Sequence, residues 1–477
     1  TGDDAELNLQ PVSGSNARSA GVVGDSAESE VYEIADVLSH ARSSDLARSA
    51  SNDVRTVLII RMQYNDHQSS CNEQCCLNGI YSNQNQGGVT GSIAGVYETS
   101  SYGKTTWPNT ASARKVVSVT MGKNVVTDSC AYRSEGSVAD SKLSQQFPQV
   151  KLSDYRHIEY IMPEEFGRSG NTDKCNGMAG VANVNCQHPN AAVRNGVCYS
   201  YIRTTLQMVR AHEFGHNLGL GHSGQYTDEY GDSSAVMGYS RPSWLVFNAA
   251  HRFQLGWLAA NDVADASYVY TSALYNIAEL NTGLAATNLP HAVRFSCPSC
   301  QAARFRGGHI FLSFRGDDGY DAALTATHRN KILVHQAETY YTGLFGGRTH
   351  LHEVLSEGDS WQMAGFSIYF CSKTANSAKV VVARIIPATL IALCNDASLL
   401  LPRPPPPPPA AGGGCSNTCG YAGDGDCDDG GAGSEYSFCT LGSDCTDCGN
   451  RGDSSVAVAS PPSPAPPPPP PSPKPPS

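Results

Sequence analysis

Apolar residues along this chain fall in short runs of strand length, with one helical stretch among them. Val57-Leu58-Ile59-Ile60-Arg61-Met62 and Ile158-Glu159-Tyr160-Ile161-Met162 are runs that suit buried strands. Tyr201 to Leu218 reads instead as a helix, with Leu206, Val209 and Leu218 apolar at helix-like spacing and Gly219 at its end. Strands mixed with a helix over residues 54–258 predict an α+β or α/β unit. After Trp257-Leu258 the pattern turns β-rich. Gly308 to Phe314, Lys331 to His335, Phe366 to Cys371 and Lys379 to Ile386 are separated by Gly/Asp turns, and a compact antiparallel sandwich over about 260–395 is expected.

Proline marks the later boundaries. Pro404 to Pro409 form one tract and Pro461 to Pro476 a second, interrupted by Ser463, Ala465, Ser472 and Lys474. Such tracts favour extended polyproline II, lack amide donors and build no core, so they serve as spacers or adhesive tails. Between them lies a cysteine-rich block, Cys415 to Cys448. Residues 1–53 are polar and free of cysteine, the composition of a mostly unpacked leader, either the end of a propeptide or a plain terminus. The expected divisions are therefore 1–53, 54–258, 259–401, 402–414, 415–451 and 452–477.

Composition narrows the class. The chain has 477 residues, 40% of them hydrophobic, which is enough for a real core. No apolar run approaches the roughly 18–20 residues of a membrane helix. With 33 Lys+Arg against 44 Asp+Glu the formal charge is −11, which argues against nucleic acid as the main partner. Seventeen cysteines point to disulfides and a secreted, extracellular protein. Thr1 is followed by no apolar h-region, as expected where a signal peptide has been removed or the chain is a fragment.

The chemistry concentrates in His212-Glu213-Phe214-Gly215-His216-Asn217-Leu218-Gly219-Leu220-Gly221-His222. His212 and His216 are four apart, so on a helix both imidazoles leave one face and can share a metal. A continued helix would carry residue 222 off that face; Gly219 can take positive φ, end the helix and return His222 to the ion. Three nitrogen ligands with an open fourth position describe a catalytic zinc site. Glu213, one residue along, can reach a water there as general base without being a ligand. Met237, in Ser234-Ala235-Val236-Met237-Gly238-Tyr239, would form a polarizable floor beneath the imidazoles.

With these residues in view, the chain resembles the gametolysin-type matrix metalloproteases, zinc endopeptidases of the metzincin class from volvocine green algae. The likeness rests on His212 to His222 with Asn217 and Ser223, on Tyr230-Gly231-Asp232, and on Val236-Met237-Gly238-Tyr239. Phe247-Asn248-Ala249-Ala250-His251, Gln254-Leu255-Gly256-Trp257 and Ser101-Tyr102-Gly103-Lys104 are similar to that family as well, so it spans about 54–395. Tyr239, two residues after Met237, is by likeness to some metzincins a candidate oxyanion donor or fifth ligand, or else a tyrosine that merely packs near the turn. The resemblance implies an α+β, metzincin-like catalytic domain: a twisted sheet with a zinc-binding helix. The β-rich sandwich-like domain, a small disulfide-rich module and polyproline segments would follow. It also implies cleavage of extracellular-matrix or cell-wall, hydroxyproline-rich glycoproteins. The rival reading is a non-catalytic matrix or adhesion protein on a protease-like fold; a third is a zymogen. Many metzincins are silenced by a propeptide cysteine, which residues 1–53 lack.

Weaker signals remain. Cys415, Cys419, Cys427, Cys439, Cys445 and Cys448 suit three disulfides in a block too short for a hydrophobic core. Asp424, Asp426, Asp428 and Glu435 fall at positions of a calcium loop, yet Asp429 stands where such a loop needs glycine, so the block either binds Ca²⁺ or is an acidic loop clamped by disulfides. The cysteines before Pro402 number 17 − 6 = 11, so at least one is unpaired or bonded elsewhere, with Cys71, Cys75 and Cys76 the place to look. Cys297-Pro298-Ser299-Cys300 suits a local disulfide, and the two Arg-Gly-Asp triplets at 315–317 and 451–453 suit chance turns.

Overall fold

The structure is a computed structural model. It describes residues 4–8, 53–86, 88–184, 186, 198–238, 243–267, 269, 272–303, 305, 307–338, 347–384, 390–396, 399, 417 and 444–448. The chain divides into two compact units, Thr1–Pro406 and Pro407–Ser477.

The first unit opens on a six-stranded mixed sheet. Its strands are β1 (Asp4–Asn8), β2 (Val57–Gln63), β3 (Arg114–Thr120), β4 (His157–Ile161), β5 (Met178–Asn183) and β6 (Cys198–Ile202), in the order β1-β5-β6-β4-β2-β3. β6, β4, β2 and β3 run parallel; β5 pairs antiparallel with β6, and β1 antiparallel with β5 at the edge. The apolar runs at Val57 and Ile158 become β2 and β4, near the sheet centre, where both faces are covered. Helices α1 (Glu73–Tyr81), α2 (Ile93–Ser100), α3 (Tyr132–Gln146), α4 (Gln207–Asn217) and α5 (Ala249–Gln254) accompany it. Cores of buried side chains cover both faces, one around Ile59, Tyr97, Phe214 and Trp257, the other around Leu58, Tyr160 and Tyr201.

One boundary differs from expectation. The helix over Tyr201–Leu218 begins only at Gln207, and Tyr201 and Ile202 close strand β6. The sequence Cys198-Tyr-Ser-Tyr-Ile is rich in β-favouring side chains and is buried on both faces against β4 and β5, so tertiary pairing overrides helical spacing there.

The β-rich half is a sandwich. β7 (Leu220–Gln225), β8 (Val263–Asp265), β10 (Ala292–Ser296), β11 (His309–Arg315), β12 (Lys331–Ala337) and β13 (Gly347–Leu355) form one sheet, in the order β7-β13-β12-β11-β10-β8. β9 (Ser272–Ala278), β14 (Ser360–Met363), β15 (Phe366–Lys373) and β16 (Ser377–Ala383) form the other, in the order β9-β16-β15-β14. Phe295, Leu312 and Val334 from the first sheet share a core with Ile277, Ile368 and Val380 from the second. The antiparallel expectation holds for the second sheet and for the middle of the first. Both outer pairs of the first are parallel, because β7 and β8 reach it from outside the meander. The architecture is α+β.

Five disulfides in the first unit join Cys71–Cys75, Cys130–Cys175, Cys186–Cys198, Cys297–Cys300 and Cys371–Cys394. Cys76 is the free thiol among the described cysteines, which resolves the odd count. Arg315 is buried, held by the Asp321 carboxylate and Ser234 O, so the first Arg-Gly-Asp triplet offers no exposed arginine. The second lies outside the described residues. In the second unit the described residues include a helical turn, Cys445–Cys448, whose Cys445 and Thr446 amides both donate to Asn417 Oδ1 at 2.8 Å, and both its cysteines are disulfide-bonded.

Candidate metal centre

Helix α4 is buried along its whole length, wedged between the first sheet and the segment after it. Gly79 of α1 makes room for it, since a β-carbon there would lie 1.8 Å from Gln207 Oε1. Arg210 is anchored by the Glu159 carboxylate of β4, with Nε 2.8 Å from Oε1 and Nη2 2.5 Å from Oε2. At the far end Asn217 stitches helix to sheet. Its amide donates to Asn183 O at 2.9 Å and Tyr199 O at 3.0 Å, and its Oδ1 lies 3.0 Å from His157 Nδ1. Burial holds the His157 imidazole down to about 3, with the Arg55 charge adding to the effect, so it is neutral.

Gly219 has φ 95°, the left-handed region that ends a helix, and β7 begins at the next residue. The turn brings His222 back to His212 and His216. The three ring centroids stand 4.7, 4.9 and 5.3 Å apart, and one ligand atom from each lies within 4.8 Å of the others. β7 pairs in parallel with β13, Ser223 opposite Thr349 and Gly224 opposite His350, so the third histidine stands on a strand of the sandwich.

Each ring is fixed through its Nδ1. His212 Nδ1 is 2.9 Å from Val236 O, His216 Nδ1 is 2.7 Å from Leu220 O, and His222 Nδ1 meets the Glu229 carboxylate. Acceptors at Nδ1 require the proton there, which leaves the Nε2 lone pairs facing inward. His216 Nε2 and His222 Nε2 are 3.2 Å apart, and His212 Nε2 is buried without a hydrogen-bond partner. Facing lone pairs repel unless a cation lies between them. Burial lowers the His212 imidazole to about 3, helped by the His222 charge, and lowers His216 well below its ordinary value. Neutral imidazole is the metal-binding form. The donor set therefore fits a divalent ion with nitrogen preference.

Around this triangle, Glu213 is fully buried, its side chain against Gly180 of β5, where a β-carbon would lie 2.6 Å from Oε1. Met237 is buried beneath α4. Ser223, next to His222, belongs to a buried polar knot. Its Oγ is 2.6 Å from Asp232 Oδ2 and 2.7 Å from Thr349 Oγ1, and His335 Nε2 lies 3.0 Å from the same Asp232 oxygen. Burial pushes the Asp232 carboxyl up, but His335 and the hydroxyl donors outweigh it and hold it well below the usual range. Tyr239, Asp424, Asp426, Asp428 and Glu435 lie outside the described residues.

Sequence reasoning missed Glu229, the pairing of β7 with β13, and the knot that reaches Thr349 and His335; only Ser223 and Tyr230-Gly231-Asp232 hinted at them. Glu229 and Asp228 also line a cleft beside His222 with Phe305, Arg348 and His350. The outlying motifs meet each other: Lys104 Nζ donates to Trp257 O at 2.7 Å, and Trp257 Nε1 donates to Thr105 Oγ1 at 3.0 Å.

Residues 57–362 match the family model for gametolysin peptidase M11, which is 362 − 56 = 306 of 477 residues. The chain belongs to that family. A curated relative, the autolysin of Chlamydomonas reinhardtii, is 35% identical over 91 residues, 18% of this chain and 13% of that protein. The match thus spans a small part of that relative's length. No helix among the described residues is long and apolar enough to cross a membrane.

Proposed function

We propose that this chain is a secreted zinc metalloendopeptidase of the metzincin class that hydrolyses peptide bonds in hydroxyproline-rich glycoproteins of a cell wall or extracellular matrix. The observation that carries the reading is the convergence of the His212, His216 and His222 Nε2 atoms, each ring locked through its Nδ1. His212, His216 and His222 would hold a zinc ion, which would supply Lewis-acid chemistry there. Glu213 then acts as general base, taking a proton from the attacking water and delivering it to the leaving amine. Gly180 fits this role, because a side chain there would occupy the carboxylate's place. Met237 forms the floor, and Tyr239 remains the candidate oxyanion donor.

Five disulfides in the first unit support an oxidising, extracellular setting. The proline tracts suit a matrix environment. Calcium at Asp424, Asp426, Asp428 and Glu435 is a subsidiary proposal. Zinc analysis and proteolysis of a hydroxyproline-rich glycoprotein, wild type beside Glu213→Ala, test the reading. A variant that keeps zinc and loses activity supports it; equal activity in the two forms refutes the Glu213 mechanism, and activity in neither leaves the non-catalytic matrix protein standing. Activity that appears only after trimming residues 1–53 identifies a zymogen.

A further inference from the structure

His212 and His216 are backed by neutral carbonyl oxygens, whereas His222 is backed by a carboxylate, and the chain goes to some length to put it there. β7 ends at Gln225 in a tight turn closed on both sides: Gln225 N donates to Asp228 O, and Asp228 N to Gln225 O, each at 3.0 Å. Tyr226 occupies the turn at φ 53°, and Asp228 Oδ1 accepts the Tyr230 amide at 2.9 Å. The returning segment lies so close to the strand that a β-carbon at Gly224 would come within 2.8 Å of Asp228 O, and one at Gly231 within 2.8 Å of Gln225 N. Tyr230 then sits over the His222 ring, centroids 4.1 Å apart, while Glu229 meets its Nδ1.

We propose that Glu229 is a positioning residue for the third histidine, and that its carboxylate sets how tightly this site holds its metal. A carboxylate behind a ligating imidazole fixes the tautomer and ring orientation and raises the basicity of the opposite nitrogen. His222 needs this more than its partners do. They share one rigid helix, whereas His222 stands on a separate strand and is the most solvent-accessible of the three, at 8% against 0%. Charge matters as well as geometry, because an anion near three neutral ligands offsets part of the dication's charge. The inference rests on the metal-site reading above.

Zinc affinity is measured by chelator competition on the full chain, with circular dichroism and thermal melting of the apo forms as a check on folding. Wild type binds one zinc ion and His222→Ala does not; failure of either statement sinks the metal-site reading itself. Given that, Glu229→Ala weakens zinc binding about 10- to 100-fold. Glu229→Gln, which keeps an acceptor and loses the charge, falls between Ala and wild type. Thr227→Ala, an exposed change in the same turn, leaves affinity unaltered. Cobalt-loaded Glu229→Ala has a visible spectrum shifted from wild type, a readout that loop stability alone would not move. Affinity of Glu229→Ala within twofold of wild type, or a loss matched by Thr227→Ala, overturns the inference.

Discussion

Gly215 and Met237 are in direct contact: a β-carbon on Gly215 would lie 2.4 Å from Met237 Sδ and 3.3 Å from its methyl group. The glycine sits mid-helix between the first two histidines, where alanine would ordinarily add about 1 kcal/mol of helix stability. Here the space is taken. Gly215→Ala is expected to destabilise by about 1–3 kcal/mol through overpacking. Met237→Ala in the same chain should recover part of that loss, giving a favourable coupling term in a double-mutant cycle by urea unfolding. A Gly215→Ala protein as stable as wild type would contradict the contact.

Two buried histidines should make the first unit lose stability in mild acid. Burial, the leading cause in each case, holds His157 and His251 at about 3, whereas both return to about 6.5 when unfolded. Between those limits the unfolded chain binds protons that the native chain refuses. Stability therefore falls as pH drops below about 6.5, by up to ~1.4 kcal/mol per pH unit for each ring. His251→Gln should flatten the slope between pH 6 and 4.5 by nearly one proton in paired denaturation curves. An unchanged slope would show that His251 is protonated in the fold.

Asn217 is a polar hinge pin with no apolar substitute. Replacing it with leucine removes the donor to the carbonyls of Asn183 and Tyr199 and the acceptor of the His157 Nδ1 group. Each lost internal hydrogen bond costs about 0.5–1.5 kcal/mol, so Asn217→Leu should unfold at lower urea than wild type. Asn217→Asp, which keeps the shape but turns a buried carboxylate oxygen toward those carbonyls, should destabilise as well.

Thr349 reports on how the sandwich supports the strand that carries His222. Thr349→Val keeps the volume and removes a hydroxyl that donates to Ser223 Oγ at 2.7 Å and accepts from Asn248 Nδ2 at 2.9 Å. A loss of about 1–2 kcal/mol is expected. Weaker zinc binding should accompany it, because the same hydroxyl steadies the residue next to His222. Unfolding and chelator titration on one preparation would separate the two effects.

Cys76 should be inert in the native protein. It is fully buried, and burial pushes its thiol up to about 11. Iodoacetamide at pH 8 is expected to leave its peptide unmodified in the native chain and to alkylate it in urea without reductant. Native labelling at Cys76 would place the Cys71–Cys75 loop elsewhere.

Much of this molecule was legible from local patterns. The strand runs at Val57, Ile158, Gly308, Lys331 and Phe366 were readable because apolar side chains of strand length have few other places to go. The helix register of His212 and His216, and the need for a glycine at 219, follow from the 3.6-residue period and the sterics of positive φ. Tyr201 was misread because its aromatic and apolar neighbours satisfy a helical and a buried-strand pattern alike, and only pairing with β4 and β5 decides between them.

Sequence alone determined the donor types, their spacing on one helix face, the odd thiol and the change from mixed to β-rich structure, all of which depend on neighbours along the chain. Tertiary structure decided what stands behind each imidazole. Val236 O and Leu220 O serve two rings and Glu229 the third, while Thr349 and His335 come from strands over a hundred residues away to anchor the loop beside them. Spacing cannot encode those choices. They depend on which surfaces of two sheets pack together, and no periodicity in the chain records that.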